Sequence, residues 1–133
     1  MKYIASVAVV GQGYVGFPLA IRIAEQRIVC YGLDSSSKLV NKLQTGNVNN
    51  SDLHHKSIKK TIQRGFYKPT TNYSVIAGSQ VVLICLPTPL TANGKPDLKI
   101  LHASLDKIKK IVRPKTLIIL ESTVNPEIGR AHV

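Results

Sequence analysis

The chain has 133 residues, of which 44% are hydrophobic, and its formal net charge at pH 7 is +11. This length fits one domain with a buried core and excludes a second large domain. No apolar run approaches the roughly 20 residues that a membrane-spanning helix needs, and the N-terminus shows no export signal. We therefore expect a cytoplasmic protein without a membrane partner.

The first unit of the chain is a strand followed by a glycine turn and a helix. An apolar run, Ile4–Val10, leads into Gly11–Gly16, which has the sequence G-Q-G-Y-V-G. Apolar residues then recur at helical spacing from about Val15 to Gln26. A strand, this glycine pattern and a helix in this order predict a dinucleotide-binding fingerprint. The competing interpretation is a tight strand-to-helix turn that binds nothing.

Each glycine of the turn has a predicted task. Gly11 permits the sharp turn, Gly13 lets the main chain approach a pyrophosphate, and Gly16 lets the helix pack close to the sheet. The main-chain N–H groups of Tyr14 and Val15 are expected to face the phosphates, because they lie at the positive end of the helix dipole.

The second apolar run, Ile28–Leu33, ends at Asp34. A carboxylate at this point can accept hydrogen bonds from the adenosine ribose hydroxyls, and its charge would repel a 2′-phosphate. The sequence therefore favours NAD over NADP as the cofactor. The alternative is that Asp34 is a helix cap or a solvated loop acid.

The remaining pattern alternates helices and strands. It predicts a helix that is capped within Ser35–Ser37 and ends at Gly46, and a later helix capped by Asp97. The other predicted elements are a basic helix at Ser51–Arg64, strands at Phe66–Thr70, Val81–Leu86 and Thr116–Leu120, a helical turn at Tyr73–Ala77, and a helix at Asp97–Val112. The alternation predicts an α/β fold with a Rossmann-like parallel sheet and helices on both faces. Because the chain stops soon after the last strand, we expect it to be truncated.

The cysteines and the basic residues suggest little chemistry of their own. Cys30 and Cys85 both fall in apolar runs, so we expect them to be buried in strands, with no disulfide and no metal site. The basic residues concentrate on predicted helices, where solvated helix faces explain them. Binding to nucleic acid or an anionic surface remains an alternative interpretation of the charge, although we expect no nucleic-acid partner.

Three further motifs lie at strand ends or before a helix: Leu86–Pro89 (L-P-T-P), Lys95–Leu98 (K-P-D-L) and Glu121–Thr123 (E-S-T). Together with G-Y-V-G they resemble the UDP-glucose/GDP-mannose dehydrogenase family over about residues 4 to 126. Within that family the chain looks most like the UDP-N-acetylhexosamine 6-dehydrogenases. Another Rossmann enzyme, such as a hydroxyacid dehydrogenase, is the alternative.

The resemblance implies an NAD-dependent oxidation of the C6 hydroxyl of a UDP-sugar to a carboxylate, for surface polysaccharide precursors. Two NAD are reduced per sugar, and the aldehyde is held on a cysteine. It further implies that residues 1–133 are the N-terminal NAD-binding domain, incomplete at its C-terminal end. The central helical and C-terminal substrate domains, with the family's catalytic cysteine, are absent, so we expect this chain alone to be inactive. The full-length enzyme is expected to be a homo-oligomer.

The resemblance also assigns roles to individual residues. Thr123 is expected to lie near the chemistry as well as along the cofactor, and Glu121 is either an orienting group or a strand-end acid. Leu39 stands where many members carry Arg or Lys, so Lys38 is either a substitute cation or simply solvated. The expected cofactor-binding residues are Gly11, Gly13, Tyr14, Val15, Gly16, Asp34, Lys38, Leu86, Pro87, Thr88, Ser122 and Thr123. Thr88 and Thr123 also fit a Rossmann site on position alone, since ligands bind beyond the carboxyl ends of parallel strands.

Overall fold

The computed structural model describes residues 3–46, 48 and 55–121. Its strands are β1 (Ser6–Val10), β2 (Val29–Leu33), β3 (Tyr67–Thr70), β4 (Val81–Ile84) and β5 (Leu117–Leu120). They form one parallel sheet in the order β3-β2-β1-β4-β5. Because the chain moves outward in one direction from β1 to β3 and then continues on the other side at β4, a crevice opens between β1 and β4 at their carboxyl ends.

Helices cover both faces of the sheet, as the sequence predicted. They are α1 (Gly16–Glu25), α2 (Ser37–Gln44), α3 (His55–Gln63), a 3₁₀ helix (Tyr73–Gly78) and α4 (Lys99–Ile111). Buried side chains of α1, α2 and α3 pack on one face, which includes Val7, Val9 and Cys30. The 3₁₀ helix and α4 pack on the other face, which includes Ala8 and Val10. Successive residues of β1 therefore point alternately into the two cores, as expected for a strand that is buried on both sides.

The predicted helix ends near the crevice are largely confirmed. The Ser36 hydroxyl accepts a hydrogen bond from the N–H of Leu39 at 3.2 Å and caps α2. Gly46, just after α2, has φ +71°. The cap of α4 differs slightly, because Leu98 is the residue at the cap position and the Asp97 carboxylate accepts from the N–H of Lys99 at 3.0 Å.

The strand ends differ from the sequence predictions by one or two residues, and one difference affects the site. β4 ends at Ile84, so Cys85 and Leu86 lie beyond the strand. The prediction that Cys85 is buried within a strand is therefore wrong: it is half-buried and faces the crevice. Apolarity alone misplaced this end, because residues that line a cleft beyond a strand are also apolar.

The outermost strand on the β4 side is less covered than the others. The side chains of Leu117 and Ile118 in β5 are 56% and 43% exposed, whereas all four residues of β4 are buried. In the sheet that the described residues form, β5 is an edge strand. None of the described helices combines the length and apolarity needed to cross a bilayer.

Candidate dinucleotide-binding site

A cleft of about 480 Å³ lies at the carboxyl ends of β1, β2 and β4. Its volume falls within the roughly 300–1,000 Å³ typical of small-molecule sites. The described residues that line it are Gly11, Gln12, Gly13, Tyr14, Val15, Asp34, Ser35, Leu39, Cys85, Leu86, Pro87, Thr88, Ile100 and Glu121. The structure thus brings the glycine turn, the acid after β2 and the loop after β4 to one place.

The three glycines of the turn occupy three different environments. Gly11 has φ +93°, and a Cβ built on it would lie 2.7 Å from the carbonyl oxygen of Cys85. A Cβ on Gly16 would lie 1.7 Å from the carbonyl oxygen of Gly11, so only glycine allows α1 to start this close to the turn. A Cβ on Gly13 would meet nothing within 4 Å. Gly11 and Gly16 are therefore fixed by packing against the protein, and Gly13 borders open space.

The N-terminus of α1 opens into the cleft. The helix has no side-chain cap at Val15, and the described residues supply no acceptor for the main-chain N–H groups of Tyr14 and Val15. Both residues are exposed, at 101% and 59%. Uncapped N–H groups at the positive end of a helix dipole are suited to bind an anion such as a pyrophosphate.

Asp34 lies on the same side of the sheet as the turn. Its Oδ2 accepts a hydrogen bond from the main-chain N–H of Gln12 at 2.9 Å, and its Oδ1 accepts from the N–H of Ser36 at 3.0 Å. Its own N–H donates to the carbonyl of Thr70 at 3.2 Å. The carboxylate is thus held next to the glycine turn with lone pairs left to accept from a ligand.

The loop after β4 forms the opposite wall. Leu86 and Thr88 are half-buried and Pro87 is exposed. Beyond them the chain turns back on itself: the N–H of Asp97 donates to the carbonyl of Pro89 at 2.6 Å, and Leu90 forms a bridge with Pro96. The P-T-P and K-P-D-L motifs are therefore two arms of one folded loop.

Two predicted site residues lie outside the described residues, and two others, Gly16 and Lys38, are not among the residues that line the cleft. Ser122 and Thr123 belong to the first group, so their roles stay predictions. Lys38 is exposed on α2 and is not among the cleft-lining residues, whereas the neighbouring Leu39 is. The apolar side chain, and not the cation, faces the site.

A second cavity of about 200 Å³ adjoins the cleft and shares Asp34, Ser35, Leu86 and Ile100 with it. Its outer wall is Tyr73 and α4, where the Tyr73 hydroxyl is hydrogen bonded to the Ser104 hydroxyl at 2.9 Å. The Nζ of Lys107 lies 5.0 Å from the centroid of the Tyr73 ring. Lys107 is exposed, as helical periodicity predicts, but the sequence did not show that it lies beside Tyr73 of another element.

The thiols of Cys30 and Cys85 are held in their neutral form. Burial, followed by the nearby Glu121 carboxylate, raises the pKa of Cys85 from 9.0 to about 11. Burial, followed by Cys85, raises the pKa of Cys30 to about 12. A nucleophilic cysteine needs a lowered pKa, so neither thiol suits that role. The described residues contain no group of three metal-ligating side chains.

The chain belongs to the UDP-glucose/GDP-mannose dehydrogenase family: the model of that family's NAD binding domain matches residues 5–132. It is 30% identical over 122 residues to the UDP-N-acetyl-D-mannosamine dehydrogenase of Pyrococcus horikoshii, covering 90% of this chain and 29% of that protein. It is 32% identical over 120 residues to the UDP-N-acetyl-D-glucosamine 6-dehydrogenase of Pseudomonas aeruginosa, covering 90% and 28%.

The solved structures agree with this assignment. A structure of the UDP-D-ManNAc dehydrogenase from Pyrococcus horikoshii superposes with a TM-score of 0.87 at 29% identity, over 96% of this chain and 30% of that chain. The chain therefore spans less than a third of the length of these relatives. The expected fold, the family and NAD as its cofactor are confirmed.

Proposed function

We propose that this chain is the NAD-binding part of a nucleotide-sugar 6-dehydrogenase that oxidises the C6 hydroxyl of a UDP-N-acetylhexosamine to a carboxylate. The similarity to the UDP-N-acetyl-D-mannosamine and UDP-N-acetyl-D-glucosamine enzymes supports this class of substrate. The motifs at the strand ends support it as well. A cytoplasmic, homo-oligomeric full-length enzyme is part of the same proposal, and the substrate-binding and catalytic cysteine segments would lie outside these 133 residues.

One observation carries the cofactor-binding part of the proposal. The Asp34 carboxylate is 2.9 Å from the N–H of Gln12, within the glycine turn, so the acid and the open N-terminus of α1 share one cleft. NAD offers a ribose diol next to a pyrophosphate, and these two groups match an acid beside unpaired N–H groups. Bound NAD would supply the hydride acceptor, and the described residues would hold and orient it.

The electrostatics of the cleft favour NAD over NADP. The charged residues among its described lining are Asp34 and Glu121, both of them acids. A 2′-phosphate next to Asp34 would meet a like charge in a partly desolvated cleft, which is unfavourable. The pyrophosphate does not need a cation here, because neutral N–H groups and the helix dipole can stabilise it.

The adenosine end fits the adjoining cavity. Asp34 lines both this cavity and the cleft, whereas Gly13 lines only the cleft, so a base could enter the cavity when the ribose binds Asp34 and the pyrophosphate binds the turn. Leu86 and Ile100 offer apolar contacts to a purine, and Tyr73 an aromatic one. The cation at this end would then be Lys107 on α4. The family resemblance had instead led us to expect a cation shortly after β2.

Calorimetric titration of the purified chain tests the cofactor proposal. NAD should bind saturably and more tightly than NADP, and no NADH should form when a UDP-sugar is added. The absence of saturable binding at millimolar NAD would contradict the proposal. Equal affinity for NAD and NADP would contradict the role given to Asp34.

A chimera tests the enzymatic part. Residues 1–133 would replace the matched N-terminal segment of the Pyrococcus horikoshii enzyme, and NADH formation would be followed with UDP-N-acetyl-D-mannosamine. We expect activity above that of the same chimera carrying Gly13→Val, which blocks the cleft. A folded chimera that binds NAD but forms no NADH with any UDP-N-acetylhexosamine would contradict the assignment.

The geometry gives little support to nucleic-acid binding. The basic residues of α3 and those of α4 are exposed, but the two helices pack on opposite faces of the sheet. They cannot form one continuous basic surface along a phosphate backbone. Binding to DNA that weakens steeply with salt would revive this alternative.

A further inference from the structure

Behind the glycine turn, a polar side chain is buried in the core. Gln12 is only 3% exposed, although it occupies a variable position of the G-x-G-x-x-G pattern. We propose that Gln12 and Tyr67 are positioning residues that hold the pyrophosphate-binding turn and the ribose-binding Asp34 at a fixed separation. This inference rests on the proposed binding of NAD.

The Gln12 amide uses both of its ends. Its Nε2 donates to the carbonyl oxygens of Val9 at 3.0 Å and Gly11 at 3.2 Å, which fixes the exit from β1. Its Oε1 accepts a hydrogen bond from the Tyr67 hydroxyl at 2.7 Å. A buried amide that lost one of these partners would carry an unsatisfied polar atom, at a cost of about 1–3 kcal/mol.

Tyr67 anchors this network on β3, which lies two strands away from β1. Its side chain is 1% exposed, and its ring packs against Phe17 of α1 with the centroids 5.8 Å apart. Burial, followed by the nearby Cys30 and Asp34, raises the pKa of the Tyr67 hydroxyl well above its usual range. The hydroxyl therefore remains a protonated donor throughout the physiological pH range.

The bond crosses β2 at the one glycine of that strand. A Cβ on Gly32 would lie 2.6 Å from the Gln12 Oε1 and 2.7 Å from the Tyr67 hydroxyl oxygen. Any larger residue would separate the two groups. Gly32 is thus the residue in β2 that leaves room for the hydrogen bond between Gln12 and Tyr67. This is independent evidence that the bond is part of the fold.

The main chain of Gln12 connects this bridge to the cofactor site. Its N–H donates to Asp34 Oδ2 at 2.9 Å, and the preceding N–H, that of Gly11, donates to the carbonyl of Leu33 at 2.7 Å. Movement of Gln12 would therefore change the distance between Asp34 and the N–H groups that follow it. A ligand that spans both would lose affinity, because preformed geometry lowers the cost of binding.

The test is the NAD affinity of Tyr67→Phe, measured by calorimetry at a temperature where the variant is folded by circular dichroism. We expect the dissociation constant to rise at least about fivefold, which corresponds to a turn that is in its binding geometry only about one fifth of the time. Tyr31→Phe is the matched control, since it removes a hydroxyl from β2 on the other face of the sheet. It should leave the affinity unchanged.

The double variant Gln12→Met/Tyr67→Phe separates positioning from stability. It removes the Oε1 that Tyr67→Phe leaves without its donor, but also the Nε2 bonds to the carbonyls of Val9 and Gly11. Thermal stability is therefore measured beside affinity, and NAD binding should remain weakened whether or not stability is regained. Affinity within twofold of wild type in Tyr67→Phe, or recovered together with stability in the double variant, would overturn the inference. If Tyr67→Phe does not fold, the double variant alone decides by the same criterion. Failure of the wild-type chain to bind NAD would instead count against the proposed function.

Discussion

The two walls of the cleft are held in different ways. The turn wall, formed by the glycine turn and Asp34, is fixed to β1, β2 and β3 by the buried Gln12 and by main-chain bonds. The loop wall, formed by residues 85–88 and Glu121, is fixed at its base by the bonds from Cys85 to Val10 and from Glu121 to Ile84. The folded loop that continues from it carries an exposed apolar side chain, Leu90 at 71%. The difference is that a buried side-chain network holds the turn wall, whereas the bonds named for the loop wall are main-chain bonds at the ends of β4 and β5.

Within the turn wall, Gly16→Ala should have the largest effect. The new methyl group would overlap main-chain atoms of Gly11, with 1.7 Å between Cβ and oxygen, and no flexible side chain can move to relieve this overlap. We expect a loss of about 3 kcal/mol or more in the free energy of unfolding. Urea denaturation measures it, and Gly78→Ala, where a Cβ meets nothing within 4 Å, is the control. A stable Gly16→Ala protein would show that the turn is not rigid.

The rate at which Cys85 is alkylated measures how accessible the loop wall is, because only the ionised thiol reacts. With its pKa raised to about 11, about one thiol in a thousand is ionised at pH 8, so alkylation by iodoacetamide should be about a hundredfold slower than that of a free cysteine. The rate should rise with pH up to about pH 11, and NAD should slow it. Cys30, buried behind the turn, should react still more slowly. Rapid alkylation at pH 8 without loss of structure would contradict the burial of this side chain.

Gly13→Ala separates binding from folding. Because the new Cβ points into open space, stability should stay within about 0.5 kcal/mol of wild type. The same methyl group would occupy the approach of the pyrophosphate, so NAD affinity should fall by about thirtyfold, equivalent to about 2 kcal/mol. The pair Gly13→Ala and Gly16→Ala thus tests whether two glycines of one turn serve different purposes, Gly13 the ligand and Gly16 the packing of the protein. Unchanged NAD affinity in a folded Gly13→Ala would place the phosphates elsewhere.

Asp34→Asn keeps the size of the side chain but removes its charge and one of its two acceptor oxygens, both of which accept from main-chain N–H groups of the turn wall. We expect about a tenfold loss in NAD affinity, since the charge-assisted hydrogen bond to the ribose becomes a neutral one and one acceptor oxygen is lost. The ratio of NADP to NAD affinity should rise, because the repulsion of the 2′-phosphate is gone. Asp97→Asn is the matched control: that carboxylate also accepts from the N–H two residues later, at 3.0 Å, and lies outside the cleft lining. A similar loss in both variants would mean that turn stability, and not ribose binding, is being measured.

The sequence predicted the structure correctly where all the residues that define a feature lie in one short segment. The order of strand, glycine turn, helix, strand and acid predicted the first crossover and the position of Asp34, because these features are local and each is required by backbone geometry. Apolar runs likewise predicted β4 and β5. Their ends were less certain, as Cys85 shows, because apolarity is the same on either side of a strand end.

The contacts that sequence reasoning missed join residues far apart in the chain. Gln12 and Tyr67 are separated by 55 positions, and each resembles an ordinary residue in its own segment. The signal that could have found them is Gly32, a glycine inside an otherwise apolar buried strand, since such a glycine often marks a close approach of other atoms. Lys107 was missed for the same reason: its neighbour Tyr73 comes from a different element.

We expect the smallest effect from replacing either of two lysines near the proposed adenosine end of the site, Lys38 and Lys107. Both lysines are exposed. Lys38 follows the acid in sequence but is not among the cleft-lining residues, whereas Lys107 of α4 lines the adjoining cavity beside Tyr73. Lys107→Ala should weaken NAD binding by about two- to fivefold, as expected for an exposed cation next to an aromatic ring. Lys38→Ala should change it by less than about twofold, in line with a solvated charge. Calorimetry at two salt concentrations measures both. The reverse ranking would mean that the cation is supplied from α2, and that the base binds outside the cavity between the 3₁₀ helix and α4.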